Sequence, residues 1–187
     1  MLICNRPDEQ SRMADLLSGD GLNVDCVDGI DGDLMAMAEN SLPDVIVVDT
    51  PSPNRSLIAR LETLRATYPC PIAIIADEAD SEQIAAAVGA GINGFMTGVA
   101  KPGNLSPLID MAAAQFNETE KLTLERDQAT LALAERKTIE RAKGIVMKQR
   151  GLDEDAAYKF LRQAAMDRNV RLGQLAETIL QTEELLN

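Results

Sequence analysis

The runs Val45-Ile-Val-Val-Asp49 and Ile72-Ala-Ile-Ile-Ala76 are continuous apolar stretches that lack the polar alternation of a half-exposed strand. Such runs are typical of parallel sheets that helices cover on both faces. The predicted strands are Met1–Cys4, Val24–Val27, Asp44–Val48, Ile72–Ala76 and Gly94–Met96, and the helical patterns are Glu9–Leu17, Leu34–Glu39, Leu57–Ala66, Ser81–Val88 and Asn104–Phe116. This alternation predicts an α/β fold with a doubly wound, five-stranded parallel sheet over residues 1–116.

Charge divides the chain into two parts. The sequence holds 30 Asp and Glu against 18 Lys and Arg, and its formal net charge is −12. Residues 135–175 are the exception, with 10 Lys and Arg against 6 Asp and Glu. Because an acidic protein repels polyanions, this basic segment is the part of the chain where a nucleic acid would dock.

The segment from Phe116 to Arg150 contains no Pro and a single glycine, Gly144, which predicts one long helix. Apolar or small residues recur in it every seven positions: Leu124, Leu131, Thr138 and Ile145. This spacing leaves open a coiled-coil seam with a second copy and a solvated connector. A glycine inside a helix costs about 1 kcal/mol relative to Ala, so we expect another group to pack against Gly144.

Two further helices follow the long one. Gly151 suits a left-handed helix end and Asp153 is a strong N-cap, which predicts a helix over Asp153–Arg168. A third helix is expected over Leu172–Leu186. The predicted organisation is an α/β domain over 1–116, a helical linker over 117–135 and a three-helix unit over 136–187.

Three motifs in the last unit point to a known family: Arg141-Ala-Lys-Gly-Ile-Val-Met-Lys-Gln-Arg-Gly-Leu, Glu154-Asp-Ala-Ala-Tyr-Lys-Phe-Leu-Arg-Gln-Ala-Ala-Met-Asp and Arg171-Leu-Gly-Gln-Leu-Ala. They resemble the ANTAR domain, the three-helix RNA-binding module of bacterial transcription antiterminators. The whole chain resembles the nitrate-assimilation (NasT) type. The resemblance implies binding to paired stem-loops of a nascent leader mRNA, so that a downstream terminator cannot form.

On this view the basic side chains of the unit contact RNA phosphates and bases, because Arg suits bidentate contacts and Lys acts as a point charge. The candidates are Arg141, Lys143, Lys148, Arg150, Arg162, Arg168 and Arg171. Ala142, Gly144, Met147, Ala157, Tyr158, Leu161, Ala165 and Met166 are expected to shape the module. Stacking of Tyr158 on a loop base is the alternative, but its helical spacing favours packing.

The α/β domain resembles a response-regulator receiver of flavodoxin-like order. A working receiver holds Mg²⁺ with carboxylates after its first strand and accepts phosphate on an Asp after its third. A hydroxyl after the fourth strand and a Lys after the fifth then grip the phosphoryl group. Asp49 matches the phosphoacceptor, but the other positions are occupied by Asn5, Arg6, Ala76 and Gly98, and Lys101 is three residues out of register. Asp49 is therefore predicted to be vestigial, with Arg6 paired to it in place of the metal.

Other classes of function find little support. The chain has no His, and Cys4, Cys26 and Cys70 lack metal-ligand spacing, so no zinc site or Cys–His pair is expected and the cysteines are interpreted as reduced core residues. No cofactor, metal or enzymatic activity is predicted. Without a long apolar run or an apolar leader, we expect a soluble cytoplasmic protein with no membrane contact.

The expected partners are leader mRNA stem-loops, a second copy of the chain and, from the family resemblance, an inhibitory protein that senses nitrate or nitrite. One alternative is a DNA-binding response regulator with Leu172–Leu180 as its recognition helix. The third helix has no Lys or Arg beyond Arg171 and carries Glu177, Glu183 and Glu184, which disfavours that interpretation. The other alternative is an adaptor whose basic helices bind an acidic protein.

Overall fold

The computed structural model describes residues 1–4, 6–29 and 32–186. Their elements, in chain order, are β1 (Leu2–Cys4), α1 (Pro7–Gly19), β2 (Cys26–Asp28), α2 (Leu34–Ser41), β3 (Ile46–Thr50), α3 (Arg55–Thr67), β4 (Ile72–Ala76), α4 (Ser81–Gly89), β5 (Gly94–Thr97), α5 (Leu105–Arg150), α6 (Glu154–Asp167) and α7 (Leu172–Leu186). The chain divides into two compact units, Met1–Glu120 and Lys121–Asn187, called here the α/β unit and the helical unit.

The α/β unit holds a five-stranded parallel sheet in the order β2-β1-β3-β4-β5. Along β4, Ile72 and Ile74 belong to one apolar cluster and Ala73 and Ile75 to another, so both faces of the strand are buried. This confirms the predicted α/β fold of flavodoxin-like order. The continuous apolar runs exist because neither face of the central strands meets water.

Two strands, β2 and β3, begin two residues later than predicted. β3 runs from Ile46 to Thr50, where Asp44–Val48 was expected, and β2 begins at Cys26. β3 extends further because it pairs residue for residue with β4 up to Ala76. Asp49 and Thr50 are therefore both in the ladder and buried, although they are polar.

The three cysteines, which all lie in the described part of the chain, form no disulfide, and their surroundings differ. Cys4 and Cys70 are buried, and burial raises the pKa of each thiol to about 11. Cys26 is exposed, so the expectation of three core cysteines is wrong for this residue. It lies on β2, the strand at the edge of the sheet, where packing is less complete.

The predicted helix Asn104–Phe116 and the predicted long helix form one 46-residue helix, α5. Between residues 117 and 137 every side chain of α5 is exposed except that of Thr123, which is half-buried. This part of α5 has no buried face, so packing within the chain adds little to its stability.

The end of α5 packs with α6 and α7 around a small apolar core of the helical unit. Its buried members are Val146, Ala157, Leu161, Ala165 and Leu175. Gly151 has a φ of 65°, and the Asp153 side chain accepts a hydrogen bond of 2.8 Å from the Ala156 amide. The predicted helix end and N-cap are thus confirmed.

Candidate functional site

Arg6 occupies the carboxyl edge of the sheet in the α/β unit. Its Nη2 donates to Asp49 Oδ2 at 3.1 Å, and its Nη1 donates to Asp77 Oδ2 at 2.8 Å. Asp49 is the last residue but one of β3 and Asp77 follows β4, and parallel pairing of the two strands brings these carboxylates to the same edge. The predicted pairing of Arg6 with Asp49 is present, and Asp77 completes it.

The Asp49 carboxylate is almost completely enclosed, at 3% exposure. Besides Arg6, the Cys4 thiol donates to Asp49 Oδ2 at 3.1 Å. Burial alone would lower the pKa of Arg6, but its hydrogen bonds to Asp77 and Asp49 raise it above the usual value. Arg6 is therefore a permanent cation that neutralises the buried carboxylate.

This set of residues does not fit the Mg²⁺ of a working receiver. After the first strand, where a working receiver has carboxylates for the metal, this chain has Arg6, and its guanidinium is paired with Asp49. Ala76 lacks a hydroxyl, and Gly98 has a φ of 92°, a conformation in which a lysine would be strained. Lys101 is exposed, and Asn5, the other departure from the pattern, lies outside the described residues.

In the helical unit, the predicted RNA-contacting cations belong to α5, α6 and the turn before α7. Six of the seven are exposed: Arg141, Lys148, Arg150, Arg162, Arg168 and Arg171. Arg141 and Lys148 line a groove between α5 and α7, together with Gly144 and Ile145 of α5 and Leu180 and Glu183 of α7. The basic character predicted from the sequence is thus carried mostly by outward side chains.

Lys143 is the exception. Only 7% of it is exposed, and its Nζ lies 2.5 Å from Glu140 Oε2 and 2.7 Å from Glu154 Oε1. The hydrogen bonds to Glu140 and Glu154 raise the pKa of Lys143, and Lys143 lowers the pKa of Glu154. The prediction that Lys143 contacts RNA is corrected to a role in joining α5 to the start of α6, because its charge is already paired.

Arg150 also has an internal contact, although it remains exposed. Its guanidinium carbon lies 4.1 Å from the centre of the Phe160 ring, which is within the range of a cation–π interaction. The ring restricts the arginine at the end of α5 without neutralising its charge. The pairing of Arg150 with Phe160 is not visible in the sequence, because the turn at Gly151 brings them together.

Two side chains expected to pack in the module instead face solvent. Tyr158 is 44% exposed and Met166 is 65% exposed. Both lie on α6, away from the buried Ala157, Leu161 and Ala165. The two sets of residues recur at the same four-residue spacing, so helical periodicity alone does not tell which set faces the core.

Gly144 also differs from the expectation. A Cβ added at this position would have no heavy atom within 4 Å, leaving out the backbone of its own helix. Nothing in the described part of the chain packs against this glycine.

Within residues 1–4, 6–29 and 32–186, no cluster of three or more His, Cys, Asp or Glu side chains could hold a metal ion. None of the helices described is both long and apolar enough to span a bilayer.

Residues 127–180 match the family described as the ANTAR domain. These residues are an ANTAR domain. The transcriptional regulatory protein PdtaR of Mycobacterium tuberculosis is 28% identical over 172 residues, which cover 91% of this chain and 83% of PdtaR. The nitrate regulatory protein of Klebsiella oxytoca is 35% identical over 78 residues, 42% of this chain and 20% of that protein.

Solved structures support the fold of the part that precedes the ANTAR domain. The response regulator StyR has a TM-score of 0.52 and 16% identity, covering 95% of this chain and 98% of its own. A putative pilus assembly-related protein of Burkholderia pseudomallei has a TM-score of 0.50 and 20% identity, covering 61% of this chain and 88% of its own. The chain thus combines a segment that matches the ANTAR domain with an α/β unit that has the receiver fold.

Proposed function

We propose that this protein is a transcription antitermination regulator that binds tandem stem-loops in a leader mRNA and prevents the terminator from forming. The observation that carries the proposal is the outward set of six cations on the ANTAR domain of an otherwise acidic chain. Exposed cations bind phosphates by releasing counterions, while the acidic α/β unit repels RNA.

A DNA-binding alternative places α7 in the major groove. From Leu172 onwards α7 has no Lys or Arg, and it carries exposed Glu177. A recognition helix that approaches DNA phosphates needs positive charge. The exposed cations lie on α5 and α6 and not on the helix that would enter the major groove, which favours RNA over DNA as the ligand. The apolar face of α7 instead completes the core of the helical unit.

Control by a protein partner suits the α/β unit better than control by phosphorylation. Arg6 already neutralises Asp49, so a divalent cation has no place to bind, and the phosphoacceptor is buried. The partner that we propose, from the family resemblance of the sequence, is an inhibitory protein that senses nitrate or nitrite in the cytoplasm. Incubation with a small phosphodonor and Mg²⁺ is expected to leave Asp49 unmodified, as measured by intact mass.

A homodimer fits the pairing of two RNA hairpins with two copies of one domain. Between residues 117 and 137, α5 exposes Leu122, Leu124, Leu131 and Leu133, each more than half exposed. Exposed leucines of this kind form the seam of a coiled coil when two copies of the helix pair. Sedimentation of the chain with and without RNA measures this state.

The direct test is a binding titration of the whole chain against a tandem-hairpin leader RNA, the same RNA with altered loops, and a DNA duplex. We expect loop-dependent binding to the RNA alone. In Lys148→Ala/Arg168→Ala, the slope of log affinity against log salt is expected to become shallower by about 1.4 to 1.8, because two phosphate contacts are lost.

A matched control removes two other exposed cations of the helical unit, in Lys121→Ala/Arg126→Ala. This variant carries the same net charge and is expected to bind RNA with an unchanged salt slope. Equal losses in the two variants would mean that net charge, and not this face, governs binding. Equal or absent binding of the wild type to all three nucleic acids would favour the protein adaptor.

A further inference from the structure

Exposed apolar side chains in the three-helix part of the ANTAR domain are concentrated on one helix. Over residues 138–180, the exposed large apolar residues are Tyr158, Met166 and Val170. The first two belong to α6, and the third lies in the turn that follows it. Exposed apolar groups that gather on one face mark a surface that binds something.

The geometry of α6 places a cation between the two apolar residues. Tyr158, Arg162 and Met166 follow at intervals of four, so they form one continuous line on the helix, called here the α6 stripe. All three are exposed, whereas Leu161 and Ala165 on the other side of α6 are buried. The stripe thus presents a ring, a guanidinium and a thioether to solvent.

Tyr158 is unusual among the aromatic residues of this chain, which has two Tyr, three Phe and no Trp. Tyr68 and Phe95 pack against the core of the α/β unit. Phe116 and Phe160 each lie beneath an arginine, Arg65 and Arg150 respectively. Tyr158 is the remaining ring, and at 44% exposure it has a free surface.

We propose that the α6 stripe is the base-reading part of the RNA site and receives an unpaired loop base, with Tyr158 stacking on it. The inference rests on the proposed RNA-binding function and assigns its specificity to α6. Single-stranded loops are recognised by stacking on aromatic rings and on guanidinium planes. Arg162 supplies the second of these groups, one turn from the ring.

Charge favours RNA as the occupant of this surface. Lys159, Arg162 and Arg168 are exposed from the middle to the end of α6, against a single acidic residue, Asp167, in that stretch. The Asp167 carboxylate already accepts a hydrogen bond of 2.8 Å from Gln163. An anionic chain with splayed bases matches both the charge and the apolar content of the stripe.

The test measures the affinity of full-length variants for the tandem-hairpin RNA. Tyr158→Ala is expected to weaken binding by about 5- to 150-fold, because one stacked base is lost. Tyr158→Phe is expected to bind as the wild type does, and Tyr158→Leu to lose nearly as much as Tyr158→Ala. The salt slope remains unchanged in all three, since no charge is removed. Val88→Ala, which removes exposed apolar surface from the α/β unit, is the matched control.

Loop nucleotides replaced one at a time by abasic sites identify the base. At the contacted position, an abasic site is expected to weaken binding of the wild type as much as Tyr158→Ala weakens binding of the unmodified RNA. The abasic RNA and Tyr158→Ala in combination are expected to lose no more affinity than either change alone. If the wild type binds RNA and Tyr158→Ala binds equally well, the stripe is not a base site and this inference fails alone. If the wild type binds no hairpin RNA, the proposed function fails as well. Circular dichroism confirms that each variant is folded.

Discussion

The two units of this protein use their cations in opposite ways. In the receiver-like unit, Arg6 is held between Asp49 and Asp77, and these two carboxylates neutralise its charge within the unit. In the ANTAR domain, Lys148, Arg162 and most other cations are directed outward. Lys143 is the member of the basic segment that behaves like Arg6, since two carboxylates hold it.

This contrast teaches that a basic residue in a motif is not by itself a nucleic-acid contact. A cation whose hydrogen bonds are satisfied within the chain must break them before it reaches a phosphate. Lys143 is one such cation, since it is buried between the carboxylates of Glu140 and Glu154.

The largest expected effect tests the internal cation of the receiver-like unit. Arg6→Ala removes the main partner of a carboxylate that is 4% exposed, and we expect the free energy of unfolding to fall by about 1–3 kcal/mol. The lower part of this range is favoured because the Arg6 side chain is 31% exposed, so water can replace part of its hydrogen bonding to Asp49. Urea unfolding of the full chain measures the change.

The matched control is Arg55→Ala. Arg55 also pairs with a carboxylate, Glu82, but both side chains are exposed, and the expected loss is below about 0.5 kcal/mol. The double variant Arg6→Ala/Asp49→Asn is expected to regain part of the lost stability, since no buried charge remains unpaired. Equal losses for Arg6→Ala and Arg55→Ala would show that burial of Asp49 does not matter.

A smaller effect on stability is expected in the ANTAR domain. Lys143→Met keeps the length of the side chain but frees Glu140 and Glu154, which are exposed and readily hydrated. We expect a modest fall in Tm and no change in the salt slope of RNA binding. Lys148→Ala is expected to do the reverse, with an unchanged Tm and a slope shallower by about 0.7 to 0.9. A shallower slope in Lys143→Met would return this lysine to the RNA-contacting set.

The Lys143 pair also predicts how stability depends on pH. The pKa of Lys143 is raised, so its contribution is complete below the pKa of an unfolded lysine and is lost as the pH rises through the folded value. The pKa of Glu154 is lowered, so its contribution is present above the unfolded value and is lost as the pH falls through the folded one. Between these limits the wild type and Lys143→Met are expected to differ by a constant amount, and the difference is expected to shrink at both extremes.

Much of the fold could be predicted because it depends on burial that the sequence displays. β4 was predicted with its full range, Ile72–Ala76, since every residue of it is apolar. β3 was displaced by two residues, because Asp49 and Thr50 are polar and yet paired with β4. Hydropathy shows which residues avoid water. It does not show the register of strand pairing, which can bury a polar residue among them.

The candidate site was less predictable for the same reason. The Arg6–Asp49 pair could be inferred, because parallel strands bring their carboxyl ends to one edge. The pairing of Lys143 with Glu154 could not be inferred, because it depends on the direction that α6 takes after the turn at Gly151. The Glu140–Lys143 spacing of three residues was a signal that this lysine has a partner on its own helix.

The smallest effect concerns Gly144, where stability and function are expected to diverge. Because a Cβ would meet no atom of the described chain within 4 Å, Gly144→Ala is expected to raise the free energy of unfolding by about 0.5–1 kcal/mol. The glycine lies between Arg141 and Lys148 in the groove beside α7, so bare backbone there admits a phosphate or a ribose closely. We therefore expect the more stable variant to bind RNA less tightly. Thr130→Ala, an exposed change toward a better helix former outside the groove, is expected to gain stability with no change in affinity. Unchanged RNA affinity in Gly144→Ala would show that the groove at this glycine is not approached by the ligand.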